Sequence, residues 1–554
     1  MTDVPKRWLA IAILCWAAIV VAGLALRPAM PVDETRYLGV AYEMWQRGDL
    51  LVPHRNDVAY HHKPPLLFWA MQAGWAVFGV GELWARLVAP LFALGSLVLT
   101  ACLARGLFAD RPAVAAMAPL LLIASALFAV FASLTFFDTL VTFFALLGWI
   151  GVVDAWRGST RRGWLLVALS IGLGILAKGP VQLLHVLPPA LLAPLWMTRA
   201  RPQSWRRWYG GLALAVLGGA AVALAWAIPA AIAGGEAFAR KIFLGQHTGR
   251  IVEAFAHKRP FWWYVPVLAG LLVPIVGWIT PWRRLRGAAA ALRDEPGLRF
   301  LAATFVPVLV AFSAISGKQP QYMLPEFALV ALAVARLAAR EDLGDRRRDR
   351  MLPAFGLVAL GIAMLALPLI GGRFTGDRPG LDMPSWFGAA CALAGFVLIG
   401  YAGWFLRDPP RAAVGRAATL AIGTALALVA VNVGFRLLAP AYDTRAAAAV
   451  LAQIEAQGRP IAVTGDYENE FRLTGRLRSR VADELSDQDL IGWARANPQG
   501  VVIVDNYRRV PALPAGWPVP LHLGAFRGRV LAIWPASEIA GPRGAELLRG
   551  PPAP

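Results

Sequence analysis

Two carboxylates and a guanidinium stand directly after the first long apolar segment of the chain. In the stretch PVDETRYLGVAYEMW they are Asp33, Glu34 and Arg36, and Tyr37 follows. Asp33, Arg36 and Tyr37 share one face of a helix, because residues spaced i, i+3 and i+4 are neighbours on its surface. Asp33 can cap that helix, act as a catalytic carboxylate, or do both. A guanidinium on the same face can hold a phosphate group through paired hydrogen bonds.

Similar polar groups stand at the ends of later apolar runs. They lie in the segments AYHHKPPLLFW, FFDTLVTFF, LAKGP, HTGR and SGKQPQYMLP. The residues of interest in these segments are Tyr60, His62, Lys63, Asp138, Lys178, His247, Arg250, Lys318 and Tyr322. Asp138 and Lys178 fall at predicted helix ends, where each can also serve only to complement the helix dipole. His62 and His247 are of a residue type that binds divalent metals, although loop histidines of this kind are usually not ligands.

The elements that position these residues are predicted to be membrane helices. Of the 554 residues, 58% are hydrophobic and only 16% are charged. Runs of about 20 apolar residues recur, and each can cross a bilayer as a helix. About thirteen spans are predicted, at residues 8–27, 84–105, 112–132, 136–156, 162–178, 180–197, 209–233, 262–281, 300–316, 321–338, 353–371, 385–406 and 416–437. The first is longer than the apolar core of a signal peptide, so we expect a retained membrane helix.

The distribution of basic residues predicts the orientation of these helices. The formal net charge is +20, but the arginines and lysines are spread over alternate connections between the spans, such as 157–162, 199–207 and 346–350. This asymmetry is typical of cytoplasmic loops, so we expect a cytoplasmic N-terminus and, after an odd number of spans, a C-terminus on the opposite side. The same spread gives no reason to expect a nucleic-acid partner.

The chain is predicted to consist of a membrane domain, residues 1–437, and an outer tail, residues 438–554. The first outer loop, residues 28–83, is predicted to contain two interfacial helices near 34–47 and 65–79. The tail is less hydrophobic and reads as a small α/β domain, with buried strands at IAVTG and VVIVD. Its helices are expected after the capping residues Thr444 and Ser486. Residues 465–467 read as a turn without predicted chemistry.

Cations gathered at one membrane face can hold the phosphate headgroup of a lipid. When a sugar leaves such a phosphate, the phosphate gains negative charge, and preorganised Arg36, Lys63 and Arg250 would stabilise it. The tyrosines could pack against a sugar or hydrogen-bond its hydroxyls. No predicted span carries a charge at its centre, and His185 reads as a hydrogen-bonded core histidine. This favours an enzyme over the alternative classes, an ion-coupled transporter or a sensor whose tail binds a ligand.

The motifs DETRY, YHHKPPLLFW, FFDTLVTFF, LAKGP and KQPQYMLP resemble those of a known family. They are similar to the polyprenyl-phosphate-sugar glycosyltransferases of the protein O-mannosyltransferase superfamily, which share the GT-C fold. The number of spans and the α/β tail are most like the bacterial transferases that modify lipid A with aminoarabinose. The resemblance implies an α-helical polytopic protein of the bacterial inner membrane, with its active site and C-terminal α/β domain in the periplasm.

The same resemblance implies a reaction and its substrates. The donor would be undecaprenyl phosphate carrying 4-amino-4-deoxy-L-arabinose, and the acceptors would be the phosphates of lipid A. The alternative is another polyprenyl-phosphate sugar transferred to a protein or a glycan. The family includes metal-independent members, so a need for a divalent metal stays open.

Residue roles follow from motif position. Asp33 matches the essential acidic residue of the first outer loop and Asp138 the second acidic residue, with Glu34 as a further catalytic candidate. The donor phosphate would be held by Arg36, Lys63, Arg250 and Lys178. The sugar or acceptor cavity would be lined by Tyr37, Tyr60, His62, His247, Lys318 and Tyr322. Several relatives are acidic where this chain has His62, so a carboxylate-dependent role at that position is not expected.

Overall fold

The fold was analysed in a computed structural model of the chain. The structure describes residues 6–197, 202, 204–245, 258–283, 285, 292–339, 346–375, 383–408, 410, 412–507, 513–514 and 516–550. Helices make up most of the chain as far as Phe435, and a five-stranded sheet with flanking helices follows. This is the predicted fold class, a helical membrane protein with a C-terminal α/β domain.

The helices fall where the apolar runs predict them. They are α1 (Lys6–Leu26), α2 (Asp33–Arg47), α3 (Leu66–Phe78), α4 (Glu82–Leu107), α5 (Pro112–Ala124), α6 (Ala126–Phe131), α7 (Phe137–Trp156), α8 (Thr160–Lys178), α9 (Val181–Leu191), α10 (Ala193–Trp196), α11 (Trp205–Arg240), α12 (Tyr264–Leu271), α13 (Ile279–Arg283), α14 (Pro296–Ala314), α15 (Glu326–Ala338), α16 (Met351–Thr375), α17 (Phe387–Arg407), α18 (Ala413–Phe435), α19 (Arg445–Ala456), α20 (Asp487–Ala496), α21 (Ala536–Ala540) and α22 (Gly544–Arg549).

Nine helices in the described part of the chain are long and apolar enough to cross a membrane, and the chain is a multi-pass membrane protein. The other four predicted spans are shorter or broken. Residues 112–132 contain α5 and α6, which are separated at Ser125, where the backbone is extended. Residues 180–197 are divided into two short helices, and 262–281 into a 3-10 turn (Phe261–Trp263) and two short helices. Residues 321–338 contain the end of a 3-10 turn (Pro320–Met323) and the 13-residue α15.

The first outer loop contains both predicted interfacial helices, α2 and α3. Between them is a short antiparallel hairpin of β1 (His54–Arg55) and β2 (Val58–Ala59). Helix α2 begins at Asp33, and Val32 occupies the N-cap position. The predicted capping role of Asp33 is therefore wrong: its carboxylate lies one residue inside the helix and contacts Arg36 instead.

The tail forms one mixed sheet. Its strands are β3 (Ile461–Thr464), β4 (Ala482–Leu485), β5 (Val501–Tyr507), β6 (His522–Phe526) and β7 (Arg529–Pro535), in the order β4-β3-β5-β7-β6. The predicted strands IAVTG and VVIVD form β3 and β5, which are parallel neighbours in its centre. Ser486 caps α20 as predicted, because its hydroxyl accepts a hydrogen bond from the Asp489 amide at 3.2 Å. Thr444 precedes α19 without such a bond and its hydroxyl lies 3.3 Å from that of Thr474.

Candidate active site

Helices α7 and α8 place a carboxylate and an ammonium together at one end of the helical bundle. Asp138 is in the first turn of α7, and Lys178 is the last residue of α8. The two helices pack at backbone contact: a Cβ atom at Gly163 would lie 2.5 Å from Ala155 N and from Gly151 O. This close packing sets the start of α7 beside the end of α8, and Lys178 forms an ion pair with Asp138.

Arg36 of α2 lies between two carboxylates that come from opposite ends of the chain. One guanidinium nitrogen contacts Asp33 in the same helix, and the other donates to Glu468 of the tail at 3.0 Å. Burial lowers the pKa of Arg36, but its neighbours, the Tyr60 phenol and the carboxylates of Glu468 and Asp33, raise it above its ordinary value. Burial also raises the pKa of Glu468, but Arg36 and Arg55 outweigh this and hold it below its usual range. Both groups are therefore charged at neutral pH.

Two buried tyrosines adjoin this ion pair. The Tyr37 hydroxyl lies 3.4 Å from the Asp33 carboxylate, and the Arg36 guanidinium lies over the Tyr37 ring at 5.6 Å. Burial raises the pKa of both Tyr37 and Tyr60, so both hydroxyls are neutral donors at neutral pH. The Tyr60 hydroxyl is buried without a hydrogen-bond partner among the described residues. A buried polar group of this kind needs a partner, and a bound substrate could provide it.

Lys63 reaches the same region from the segment between the hairpin and α3. Its ammonium lies 5.6 Å from the centre of the Phe137 ring, which also packs edge-on against Tyr37 at 4.9 Å. The Phe137 ring therefore lies between Lys63 and the tyrosine beside Asp33. The His62 ring lies 5.2 Å from that of Tyr60.

The Asp138–Lys178 pair begins next to Phe137 in the sequence and has an aromatic neighbour of its own. The Lys178 ammonium lies over the Tyr322 ring at 4.8 Å, and both members of the pair are largely buried. The predicted site residues thus form two groups. In the first, Asp33, Arg36 and Tyr37 contact one another, Lys63 is joined to them through Phe137, and the ring pair Tyr60–His62 lies close enough to Arg36 to act on its pKa. In the second, Asp138, Lys178 and Tyr322 contact one another, and Asp138 lies close enough to Tyr37 to raise the pKa of that hydroxyl.

Glu34 is placed differently from its neighbour Asp33. It is fully buried, and its carboxylate accepts hydrogen bonds from the Thr135 amide at 2.7 Å and the Met30 amide at 3.0 Å. It also pairs with Arg27 at 3.2 Å. These contacts join the start of α2 to the end of α1 and to the segment before α7. The geometry supports a positioning role for Glu34, whereas Asp33 is the more accessible carboxylate, with a side chain 47% exposed.

Lys318 is a predicted site residue that lies in neither group. Lys318 is buried and donates to the carbonyls of Arg259, at 3.1 Å, and Ile315. Lys318 therefore holds the segment between α14 and α15 against the backbone of Arg259. His247 and Arg250 lie outside the described residues.

No metal site emerges in the described part of the chain. No group of three histidine, cysteine or acidic residues there could hold a metal ion. His185 is a hydrogen-bonded core residue, as predicted: its Nδ1 lies 2.7 Å from Glu326 Oε1, and both side chains are almost fully buried.

The tail packs directly against the first outer loop. Glu43 of α2 is fully buried and accepts from the amides of Asn56, at 3.0 Å, and Asp57, at 2.7 Å. Asn56 in turn exchanges two hydrogen bonds with the Val481 backbone, at 2.8 and 2.9 Å. Asn469 adds a bond to Glu43 at 3.2 Å. Loop and tail therefore share one buried polar network.

Sequence reasoning missed the residues that join this network to the site. Arg55 of the hairpin pairs with Glu468 at 2.9 Å and with Asp466 at 3.0 Å, so Glu468 connects Arg55 to Arg36. The sequence reading took residues 465–467 for a turn and gave the following acids no role. The one available signal is the acidic run DYENE directly after a buried strand.

Comparison with known proteins agrees with this architecture. Residues 62–232, which include Lys63, Asp138 and Lys178, match the family described as dolichyl-phosphate-mannose-protein mannosyltransferase. The crystal structure of ArnT from Cupriavidus metallidurans in the apo state superposes with a TM-score of 0.72 and 20% identity over 99% of both chains. The same protein bound to undecaprenyl phosphate gives a TM-score of 0.71 with 21% identity over 99% of both chains.

The chain has the GT-C fold. The predicted resemblance to the lipid-linked-sugar glycosyltransferases is also confirmed by curated relatives. The undecaprenyl phosphate-alpha-4-amino-4-deoxy-L-arabinose arabinosyl transferase of Pseudomonas aeruginosa is 34% identical over 56% of each chain. The transferase of the same name from an Enterobacter strain is 30% identical over 57% of each. This GT-C chain thus spans little more than half the length of the curated relatives that it matches.

Proposed function

We propose that the chain is a membrane glycosyltransferase that moves 4-amino-4-deoxy-L-arabinose from undecaprenyl phosphate to the phosphates of lipid A. The observation that carries the proposal is the cradle formed by Asp33, Arg36, Tyr37, Tyr60 and Lys63 at one end of the GT-C bundle. The relatives named as aminoarabinose transferases support the choice of sugar, and the ArnT structure with undecaprenyl phosphate supports the choice of lipid carrier.

In the proposed reaction the acceptor oxygen attacks the anomeric carbon of the sugar, and the bond between that carbon and the phosphate oxygen of the lipid breaks. The lipid phosphodiester becomes a monoester and gains about one negative charge. Arg36 and Lys63 stabilise this charge because they are positioned before the reaction begins. An acceptor phosphate is already anionic near neutral pH, since its second pKa is about 6, so it needs no strong base. Asp33 then serves mainly to orient Arg36 and the acceptor.

The localisation follows from the same proposal. The basic connections lie on the side opposite the cradle, so the cradle and the tail face the periplasm of a bacterial inner membrane. A requirement for a divalent metal is not part of the proposal. The roles of Arg250 as a contact of the donor phosphate and of His247 in the sugar or acceptor cavity remain predictions.

The direct test uses the purified full chain in lipid, with undecaprenyl-phosphate-aminoarabinose and lipid A. The mass of lipid A should rise by one aminoarabinose, and Arg36→Ala and Lys63→Ala should abolish that rise while the protein is still produced. Wild-type activity in either variant would contradict the phosphate assignment. Transfer to a protein or glycan instead would favour the second candidate, which the name of the family matched by residues 62–232 suggests.

A further inference from the structure

A second cleft lies between the first outer loop and the tail, at the other end of α2 from the cradle. Its volume is about 730 Å³. The charged residues that line it are Arg47, Arg472, Arg476 and Arg478 together with Glu43 and Asp57. None of the cradle residues lines it. Arg36 and Arg47 are eleven residues apart on one helix, which at 1.5 Å per residue corresponds to about 16 Å.

The two carboxylates of this cleft are already engaged by the protein. Glu43 is fully buried and occupied by backbone amides of the hairpin, and Asp57 pairs with Arg47. Four guanidinium groups stand against these two acids, so the cleft keeps a net positive charge. A concave site of this charge attracts anions.

Arg476 and Arg478 supply the available cations. Both are exposed, and the Arg478 side chain makes no hydrogen bond or ion pair with any residue that the structure describes. Arg476 has a left-handed backbone, with φ at 55°, a conformation that favours glycine. Its guanidinium lies over the Tyr42 ring at 5.3 Å and donates to the Val80 carbonyl at 2.7 Å. An arginine in this conformation is therefore held rigidly at the rim of the cleft.

One wall of the cleft is at the level of the membrane surface. Val80 lines it and lies just before Glu82, where the membrane-spanning helix α4 begins. The neighbouring side chains of Phe78 and Leu83 are 70% and 64% exposed, and Trp45, itself a lining residue, is 37% exposed. Exposed aromatic and apolar side chains beside basic ones are typical of the boundary between lipid and water.

We propose that this cleft binds a phosphate-bearing group, carried on a membrane lipid or free in solution, at a site separate from the donor cradle. A phosphate monoester carries close to two negative charges and three acceptor oxygens, which suits two adjacent guanidinium groups. The apolar rim would accommodate the first carbons of a lipid. This site is independent of which sugar the cradle transfers.

Native mass spectrometry of the purified full chain tests the proposal with three probes: dihexanoyl phosphatidic acid, dihexanoyl phosphatidylcholine and inorganic phosphate. The wild-type protein should bind phosphatidic acid more tightly than phosphatidylcholine. Arg478→Gln should weaken that binding about tenfold, because it removes one charge-assisted contact. Arg478 is exposed, so this variant is expected to fold. Arg495→Gln is the matched control, since Arg495 is exposed on α20 and does not line the cleft.

A second control separates this site from the cradle. The cradle is itself proposed to hold a lipid phosphate, so the comparison is repeated in the Lys63→Ala background, where Arg478→Gln should still weaken the binding of phosphatidic acid about tenfold. If Arg478→Gln causes no weakening in that background, the binding belongs to the cradle and the proposal is overturned. Equal weakening by Arg478→Gln and Arg495→Gln would also overturn it, as would no binding of any probe. Binding of phosphatidic acid alone identifies a lipid occupant, and equal binding of inorganic phosphate identifies a soluble one.

Discussion

Replacement of Glu468 by glutamine tests whether the tail takes part in the proposed reaction. Glu468 accepts hydrogen bonds from Arg36 at 3.0 Å and from Arg55 at 2.9 Å, and its side chain is 19% exposed. A hydrogen bond between charged groups contributes about 1.5–3 kcal/mol. Because glutamine keeps the shape and one acceptor oxygen, we expect a loss of about 2 kcal/mol. At about 1.4 kcal/mol per factor of ten, kcat/KM should fall about 30-fold.

The assay is the transfer of aminoarabinose to lipid A by the purified full chain, measured as the increase in the mass of lipid A. Asp466→Asn is the matched control, because Asp466 pairs with Arg55 at 3.0 Å and has no contact with Arg36 among those that the structure describes. We expect it to change kcat/KM by less than about fivefold, since exposed ion pairs contribute at most about 1 kcal/mol.

A double-mutant cycle then separates a direct role of Glu468 from one through Arg36. If Glu468 acts by orienting Arg36, Glu468→Gln should cost much less activity in the Arg36→Lys background than in the wild type. A full 30-fold loss in that background, or a loss below threefold in the wild type, would refute the reasoning. The pH profile of kcat/KM should keep its shape, because a positioning residue moves no proton.

Three further predictions concern the elements that hold the site. Asn56→Ala removes both hydrogen bonds to Val481 and should destabilise tail docking by about 2 kcal/mol, seen as faster hydrogen exchange at the Val481 amide. Asp138→Asn leaves Lys178 buried without its partner and should lower the free energy of unfolding by about 3 kcal/mol. The double variant Asp138→Asn, Lys178→Met should lose less, and equal melting temperatures of the single and the double variant would contradict this. Burial raises the pKa of Glu470 in the folded tail to about 7, above the ordinary value of 4.5 that applies in the unfolded chain. As pH rises from about 4.5 to 7, the unfolded chain releases this proton while the folded tail keeps it, so the stability of the tail should fall by about 3 kcal/mol. Glu470→Gln should abolish this fall in pH-dependent hydrogen exchange of the tail.

The elements of the fold were predictable because each is specified locally. Apolar runs of about 20 residues indicate membrane helices wherever they occur, and all thirteen predicted spans contain helix. Some predicted spans are not single long helices, because the backbone breaks within them, as at Ser125, or because the α-helix begins late, as at Glu326. Such breaks depend on packing between helices, which periodicity alone does not report.

The part of the site that could be predicted consists of residues only a few positions apart in the sequence. Asp33, Arg36 and Tyr37 meet because three- and four-residue spacing places them on one helix face, and the contacts confirm this. The residue type of Asp33 and its place before the helix gave it a capping role that the structure does not support, since the helix begins one residue earlier than a cap requires. Glu468 was not predictable at all: it contacts Arg36 across 432 residues of sequence.

That long-range contact changes the charge balance of the cradle. Arg36 alone could not hold a phosphate strongly, because Asp33 and Glu468 already surround its guanidinium with two negative charges. Glu468 also draws in Arg55, and Lys63 contacts the Phe137 ring. Asp466 pairs with Arg55 as well, so three cations stand against three carboxylates, and an anionic lipid phosphate must share the donors of these cations with the carboxylates. The carboxylates fix where the cations stand, so the tail contributes to the chemistry through geometry as well as through charge.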